Sequence, residues 1–328
     1  MHRALSLLSV LALAGVAVAC EVSGEGGLGA VSVGAPASVQ PAQRGTAAPG
    51  FESARAWTHL RQMVAIGPRE SGSAGLKQTR AYITKELGSY GLKVEEQAWT
   101  AATPAGPIDM VNLIVRLPGK RSDRLLVTGH YDTKRSKDFR FVGASDAASS
   151  AAMLIELARV LKDQPRELTV ELVWFDGEEA VCWDWYECGK PGAPDNTYGS
   201  RYYVATAKKD GTLSTLKAMV LLDMVGDRDL VIHREGKSTP WLADLVWAAA
   251  TRAGHSGVFA EPRIGPIEDD HVPFLDAGVP SVDIIDLDYP HWHRATDNLD
   301  NVSERSLRIV GEVVLAALPD IEKRLTAK

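Results

Sequence analysis

The chain has 328 residues, 45% apolar and 24% charged, enough for one large globular domain with a sizeable core. Its net charge of −6 comes without a Lys/Arg block or stripe that could neutralise a phosphate backbone, which argues against a nucleic-acid partner.

In chain order, His2 and Arg3 precede an unbroken small and apolar run, Ala4 to Ala19, that ends at Cys20. This reads as an export signal over 1–20 and is too short for a spanning helix. Ala17-Val18-Ala19-Cys20 also resembles a bacterial lipoprotein signal, so two outcomes stay open. Either Cys20 becomes the lipidated first residue of a membrane-anchored protein, or the chain is cleaved nearby and released; both are extracytoplasmic. Residues 21–50 hold seven Gly, three Pro and three charged residues without helical or strand period, and read as a flexible linker. One catalytic domain is expected over 51–328, because no Pro/Gly-rich linker divides it.

Within that domain, apolar spacing predicts helices over 54–64 and 75–91, then paired strands over 92–100 and 110–117. A buried strand at 125–129, an amphipathic helix at 147–162 and a second buried strand at 168–175 follow. The alternation continues with helix 199–206, strand 218–224, helix 240–253, strand 281–285 and helix 303–325. Strands alternating with helices imply an α/β fold, a mostly parallel mixed sheet flanked by helices on both faces in a three-layer sandwich.

In open α/β sheets, ligands bind beyond the carboxyl ends of the strands. The unusual polar residues of this chain fall there. The first buried strand ends in Gly129-His130-Tyr131-Asp132, the second in Asp176-Gly177-Glu178-Glu179, the third in Leu222-Asp223, and the fourth opens into 286–293 with His293 at its end. Asp146 sits where helix 147–162 begins, so it is either that helix's cap or a ligand. His130 alone is either a satisfied core histidine or a ligand. The adjacent carboxylates Glu178 and Glu179 repel each other unless a cation, a shared proton or a division of labour intervenes. His and carboxylate donors at strand ends suit zinc, which accepts N and O ligands and keeps an open position for catalysis. Calcium wants more carbonyls and no imidazole. Cys182 and Cys188, six apart in a Trp-rich loop, form either a disulfide or two free thiols.

Six stretches resemble family M28 zinc peptidases and, within them, the animal-type glutaminyl cyclases. They are GHYDTK at 129–134, GASDA at 143–147, WFDGEEA at 174–180, YGSR at 198–201, LLDMVG at 221–226 and IEDDHVPFL at 267–275. The resemblance implies a zinc aminopeptidase-like fold and a zinc ion on Asp146, Glu179 and His293. It implies Glu178 as general acid/base, supported by Asp223 and Asp269. Trp183 or Trp185, with Tyr289 and Trp292, would wall the substrate pocket. The implied reaction converts the N-terminal Gln of a peptide or protein to pyroglutamate with release of ammonia. Departures from the animal pattern touch substrate choice: Asp283 stands where those enzymes carry a pocket histidine, the loop 182–196 is longer, and Gly129 replaces a cysteine.

Two other readings share these residues. A two-zinc aminopeptidase would place a second zinc on His130 and Asp223 with Asp146 bridging, and a lipoprotein could keep the fold for binding only. For Trp57, Trp99, Trp241 and Trp247 the expectation is packing.

Overall fold

The computed structural model describes residues 50–327; the expected signal at 1–20, and the linker expected at 21–50 except for Gly50, lie outside the described residues. Eight strands, seven α-helices and one short 3-10 turn, Leu213–Thr215, follow in order. Helices α1 (Ser53–Ile66) and α2 (Ala74–Ser89) lead in. α2 is opened by Ser73, whose side chain accepts the Leu76 N–H, and is followed by Gly91 at φ 78°. Strands β1 (Glu95–Thr103) and β2 (Gly106–Leu117) form an antiparallel hairpin. Then come β3 (Arg121–His130), α3 (Ala148–Leu161), β4 (Leu168–Phe175), α4 (Tyr198–Lys209) and β5 (Leu216–Asp223). The chain closes with β6 (Ile232–Arg234), α5 (Pro240–Arg252), β7 (Phe259–Arg263), α6 (Val272–Asp276), β8 (Ser281–Ile285) and α7 (Glu304–Thr326).

The main sheet has six strands in the order β1-β2-β4-β3-β5-β8. β3, β4, β5 and β8 run parallel, and β2 joins antiparallel to β4. Successive strand residues point to opposite faces, and both faces are buried. Leu125 and Val127 of β3 pack in the large core with α1, α2, α3, α5 and α7, whereas Leu126 between them packs with Tyr203 of α4 and Phe274 of α6. This is the three-layer arrangement expected from the alternation, with the parallel strands ending at one rim.

Expected and observed bounds differ by a few residues. The sequence does not mark the short pair β6/β7 or the five-residue α6: three residues of β6 and five of α6 span less than two periods of their patterns, and Pro262 interrupts the strand pattern of β7. Trp99 stacks on Tyr202 with ring centroids 4.4 Å apart, and Arg324 and Arg234 lie over Trp241 and Trp247. Trp57 packs against the large core. Among the described residues no helix is long and apolar enough to cross a membrane.

Candidate functional site

β4 delivers its carboxylates through a tight turn. Gly177 has φ 74°, and a Cβ there would lie 2.7 Å from Met110 Sδ, so both conformation and space demand glycine. Asp176 ties the turn to the lead-in segments: its carboxylate accepts the Ser71 hydroxyl at 2.6 Å and the Val111 N–H at 2.8 Å. Glu178 and Glu179 follow, both buried. Asp132, just beyond β3, accepts their backbone N–H groups on its two oxygens, each at 3.3 Å. The motif after β3 thus holds the motif after β4.

Asp146 is positioned by three other segments. Gly143 has φ 49°, and a Cβ would fall 1.8 Å from Asp146 O. The fully buried Arg69 donates to Val142 O at 2.7 Å and to Gly143 O at 2.9 Å. Asp297 accepts the N–H groups of Ser145 at 2.8 Å and Asp146 at 3.1 Å. No side chain caps α3, so Asp146 does not serve as its cap. Its oxygens instead face two histidines, His130 Nε2 at 3.2 Å and His293 Nε2 at 3.5 Å.

His293, in the loop after β8, sits at φ 51°, a left-handed conformation costly for a residue with a side chain. Its Nε2 is 3.2 Å from Glu179 Oε1. Asp146, Glu179 and His293 each place one donor atom within 4.8 Å of the others, and Glu179 Oε2 is buried without a hydrogen-bond partner. One imidazole and two carboxylates, desolvated and converging, are a donor set that fits zinc with a position left open. Burial opposes protonation of His293, but Glu179 and Asp146 outweigh it and push its pKa up to about 10. Lys134, itself buried, donates to Ala180 O at 3.1 Å and stands 3.7 Å from Glu179 Oε2.

His130, Asp146 and Asp223 form an adjoining buried group, with His130 Nε2 3.1 Å from Asp223 Oδ1. Glu178 Oε2 is 3.9 Å from His130 Nδ1. Burial first, then the charges of Glu179, Asp269 and Asp223, raise the Glu178 pKa well above the usual carboxylate range, while His130 opposes them. A protonatable carboxyl thus stands beside the donor set.

The donor set and Glu178 open on a cavity of 770 Å³ lined by Asp146, Glu178, Glu179, Asp223, Asp269 and His293. Trp183, Trp185 and Trp292 line its walls. The Trp292 ring lies 4.5 Å from that of His293, and Trp183 lies 6.1 Å from it. Tyr289 departs from expectation: it is 3% exposed, lies outside the cavity lining, and donates its hydroxyl to Asp297 at 2.7 Å. It braces the carboxylate behind Asp146. Asp283 likewise is buried on β8 and absent from the cavity lining, behind Asp269. Cys182 and Cys188 are joined in a disulfide that closes the base of the tryptophan loop.

The sequence does not single out Asp132, Lys134, Arg69 or Asp297, although Asp132 and Lys134 lie within the GHYDTK stretch at 129–134. Arg69 and Asp297 act only on backbone atoms brought close by the fold, and nothing in the sequence marks such partners.

Residues 112–318 match peptidase family M28. Among solved structures, a glutaminyl cyclase from an Acidobacteriales bacterium is 38% identical with a TM-score of 0.78, over 88% of this chain and 100% of its own. A leucine aminopeptidase precursor from Bacteroides thetaiotaomicron is 27% identical with a TM-score of 0.74, over 82% and 97%. The glutaminyl-peptide cyclotransferase of Drosophila melanogaster is 30% identical, over 73% of this chain and 74% of its own. The chain belongs to peptidase family M28, on its glutaminyl-cyclase branch.

Proposed function

We propose that the protein is a zinc-dependent glutaminyl-peptide cyclotransferase, with one zinc held by Asp146, Glu179 and His293. The observation that carries the reading is the 38% identity to a glutaminyl cyclase whose whole chain is covered, joined to a tryptophan-walled cavity over the donor set. Zinc bound there supplies Lewis acidity toward the side-chain carbonyl of an N-terminal glutamine. Glu178 takes a proton from the α-amine as its nitrogen bonds to the side-chain carbonyl carbon. It then gives that proton to the departing nitrogen as the carbon–nitrogen bond of the amide breaks, releasing ammonia. Asp223 and Asp269 flank it and favour its protonated form. Trp183, Trp185 and Trp292 exclude water, the competing nucleophile in a cyclisation.

The signal-like 1–20 segment supports an activity outside the cytoplasm, with the chain either tethered through Cys20 or released. The Cys182–Cys188 disulfide suits an oxidising compartment.

A second reading rests on the His130, Asp146 and Asp223 group, which offers a second zinc the ligands an aminopeptidase would use. Turnover of a Gln-initiated peptide beside a Leu-initiated one separates the two. Ammonia release from the first with the second intact supports the cyclase; free Leu from the second would sink it.

A further inference from the structure

A third group of buried donors lies behind the cavity floor. Asp269 and His271 stand in the segment leading into α6, and Asp283 in the middle of β8; they are 3%, 0% and 0% exposed. Each offers one donor atom within 4.8 Å of the other two. Asp269 Oδ2, His271 Nδ1 and both carboxylate oxygens of Asp283 are buried and find no N–H or O–H donor, and the carboxyls of Asp269 and Asp283 face each other. Four of the nine buried side-chain atoms without such a partner among the described residues thus lie in this one cluster. Buried polar groups are almost always paired, and a cluster of exceptions calls for a missing partner.

The surroundings prepare His271 as a ligand. Glu235 accepts the backbone N–H groups of Lys237 and Ser238 at 2.7 Å and of Ile267 at 3.0 Å, which keeps it an anion. Its Oε2 is 3.3 Å from His271 Nε2 and can only receive a proton from it. The other nitrogen, Nδ1, then carries a lone pair and faces Asp283 Oδ2 at 3.7 Å. That is too long for a direct hydrogen bond. It is near the separation of roughly 3.3 Å between two ligands of one tetrahedral zinc at bond lengths of about 2.0–2.1 Å. A carboxylate orienting a histidine through its far nitrogen is also the usual outer support of a metal-bound imidazole.

We propose that Asp269, His271 and Asp283 form a further cation site, separate from Asp146, Glu179 and His293, that takes a divalent ion of the zinc class. One nitrogen and two carboxylate oxygens suit zinc better than calcium, which seeks six or more oxygens. Asp269 also lines the cavity, which gives the ion a way in and leaves a position for water. The ion offsets the repulsion between two buried carboxylates, joins the start of α6 to β8, and fixes Asp269 as an anion facing Glu178. The site stands on its donors whichever reaction the enzyme performs.

The test is a crystal structure of the full chain grown with zinc, read by anomalous scattering at the zinc edge. The expected map has a peak bounded by Asp269, His271 and Asp283 at ligand distances of about 2.0–2.2 Å, in addition to one at Asp146, Glu179 and His293. A map with the second peak and not the first, and with Asp269 and Asp283 joined carboxyl to carboxyl, would overturn the proposal in favour of a shared proton. In solution, Asp283→Asn should bind one zinc fewer than the natural chain by elemental analysis, with the far-UV circular dichroism unchanged. Equal zinc content in a folded variant counts against the site.

Discussion

Asp297 accepts the backbone N–H of Asp146 at 3.1 Å, so the loop that follows His293 holds a residue 151 positions earlier in the chain. The same carboxylate takes the Ser145 N–H at 2.8 Å and the Tyr289 hydroxyl at 2.7 Å. Two of the three donors of the candidate zinc site are thereby positioned from one segment, His293 directly and Asp146 through Asp297. Replacing Asp297 with Ala removes the acceptor of all three hydrogen bonds and leaves Arg69 as the side chain that holds the Gly143 turn. Zinc affinity, measured by competition with a chelator, should fall on the order of 10–100-fold, the usual cost of losing an outer support. An unchanged affinity would mean that the Arg69 bonds suffice.

Glu178→Gln separates proton transfer from metal binding. The amide keeps the size of the side chain but cannot cycle a proton, and removing a general acid/base costs about 10²–10⁴-fold in rate. Ammonia release should fall by at least that much while zinc content is retained. If zinc is lost instead, the roles of Glu178 and Glu179 are reversed.

Much of this site was legible because each strand ends in its own polar cluster. Glu178, Glu179, Asp146, His293, His130 and Asp223 each announced themselves beside a buried apolar run or a helix start, and the parallel order of β3, β4, β5 and β8 brings them to one rim. Tyr289 braces Asp297 and does not wall the cavity, and an aromatic near a ligand reads the same in a sequence in either role. Asp297 and Arg69 were invisible for a related reason: their partners are main-chain groups, and a main-chain N–H or carbonyl leaves no trace in a sequence. The cluster of Asp269, His271 and Asp283 joins a loop to the middle of an apolar strand, and only strand pairing sets that distance.

The disulfide controls the tryptophan wall. Cys182 and Cys188 close a short loop carrying Trp183 and Trp185, and such a loop constrains the unfolded chain by about 2 kcal/mol. Inside it, Glu187 accepts the backbone N–H groups of Trp183 at 3.1 Å and Asp184 at 3.2 Å, so reduction loosens the loop without erasing its turn. The pair Cys182→Ser and Cys188→Ser should therefore lower the stability by up to about 2 kcal/mol in urea titration. It should raise KM for a Gln-initiated peptide more than it lowers kcat. A kcat loss with KM unchanged would place the effect on Glu178 and its neighbours rather than on the wall.

Far from the cavity, His59 should govern the stability on the acid side. It lies on the buried face of α1, with Nδ1 2.6 Å from Tyr82 Oη, and burial, aided by the positive charge of Arg55, lowers its pKa to about 4. In the unfolded chain the ordinary value is about 6.5. Above pH 6.5 neither state is protonated and the contribution of His59 is constant. Between about 6.5 and 4 the unfolded state binds a proton that the folded state refuses, so stability falls as pH falls, by up to roughly 1.4 kcal/mol per pH unit. His59→Gln keeps a hydrogen-bonding side chain for Tyr82 and cannot titrate. Urea unfolding of both chains at pH 7 and pH 5 isolates the effect, because the other titrating groups are common to the two. From pH 7 to pH 5 the natural chain should lose about 2 kcal/mol more than the variant, and parallel losses would show that His59 accepts its proton inside the folded protein.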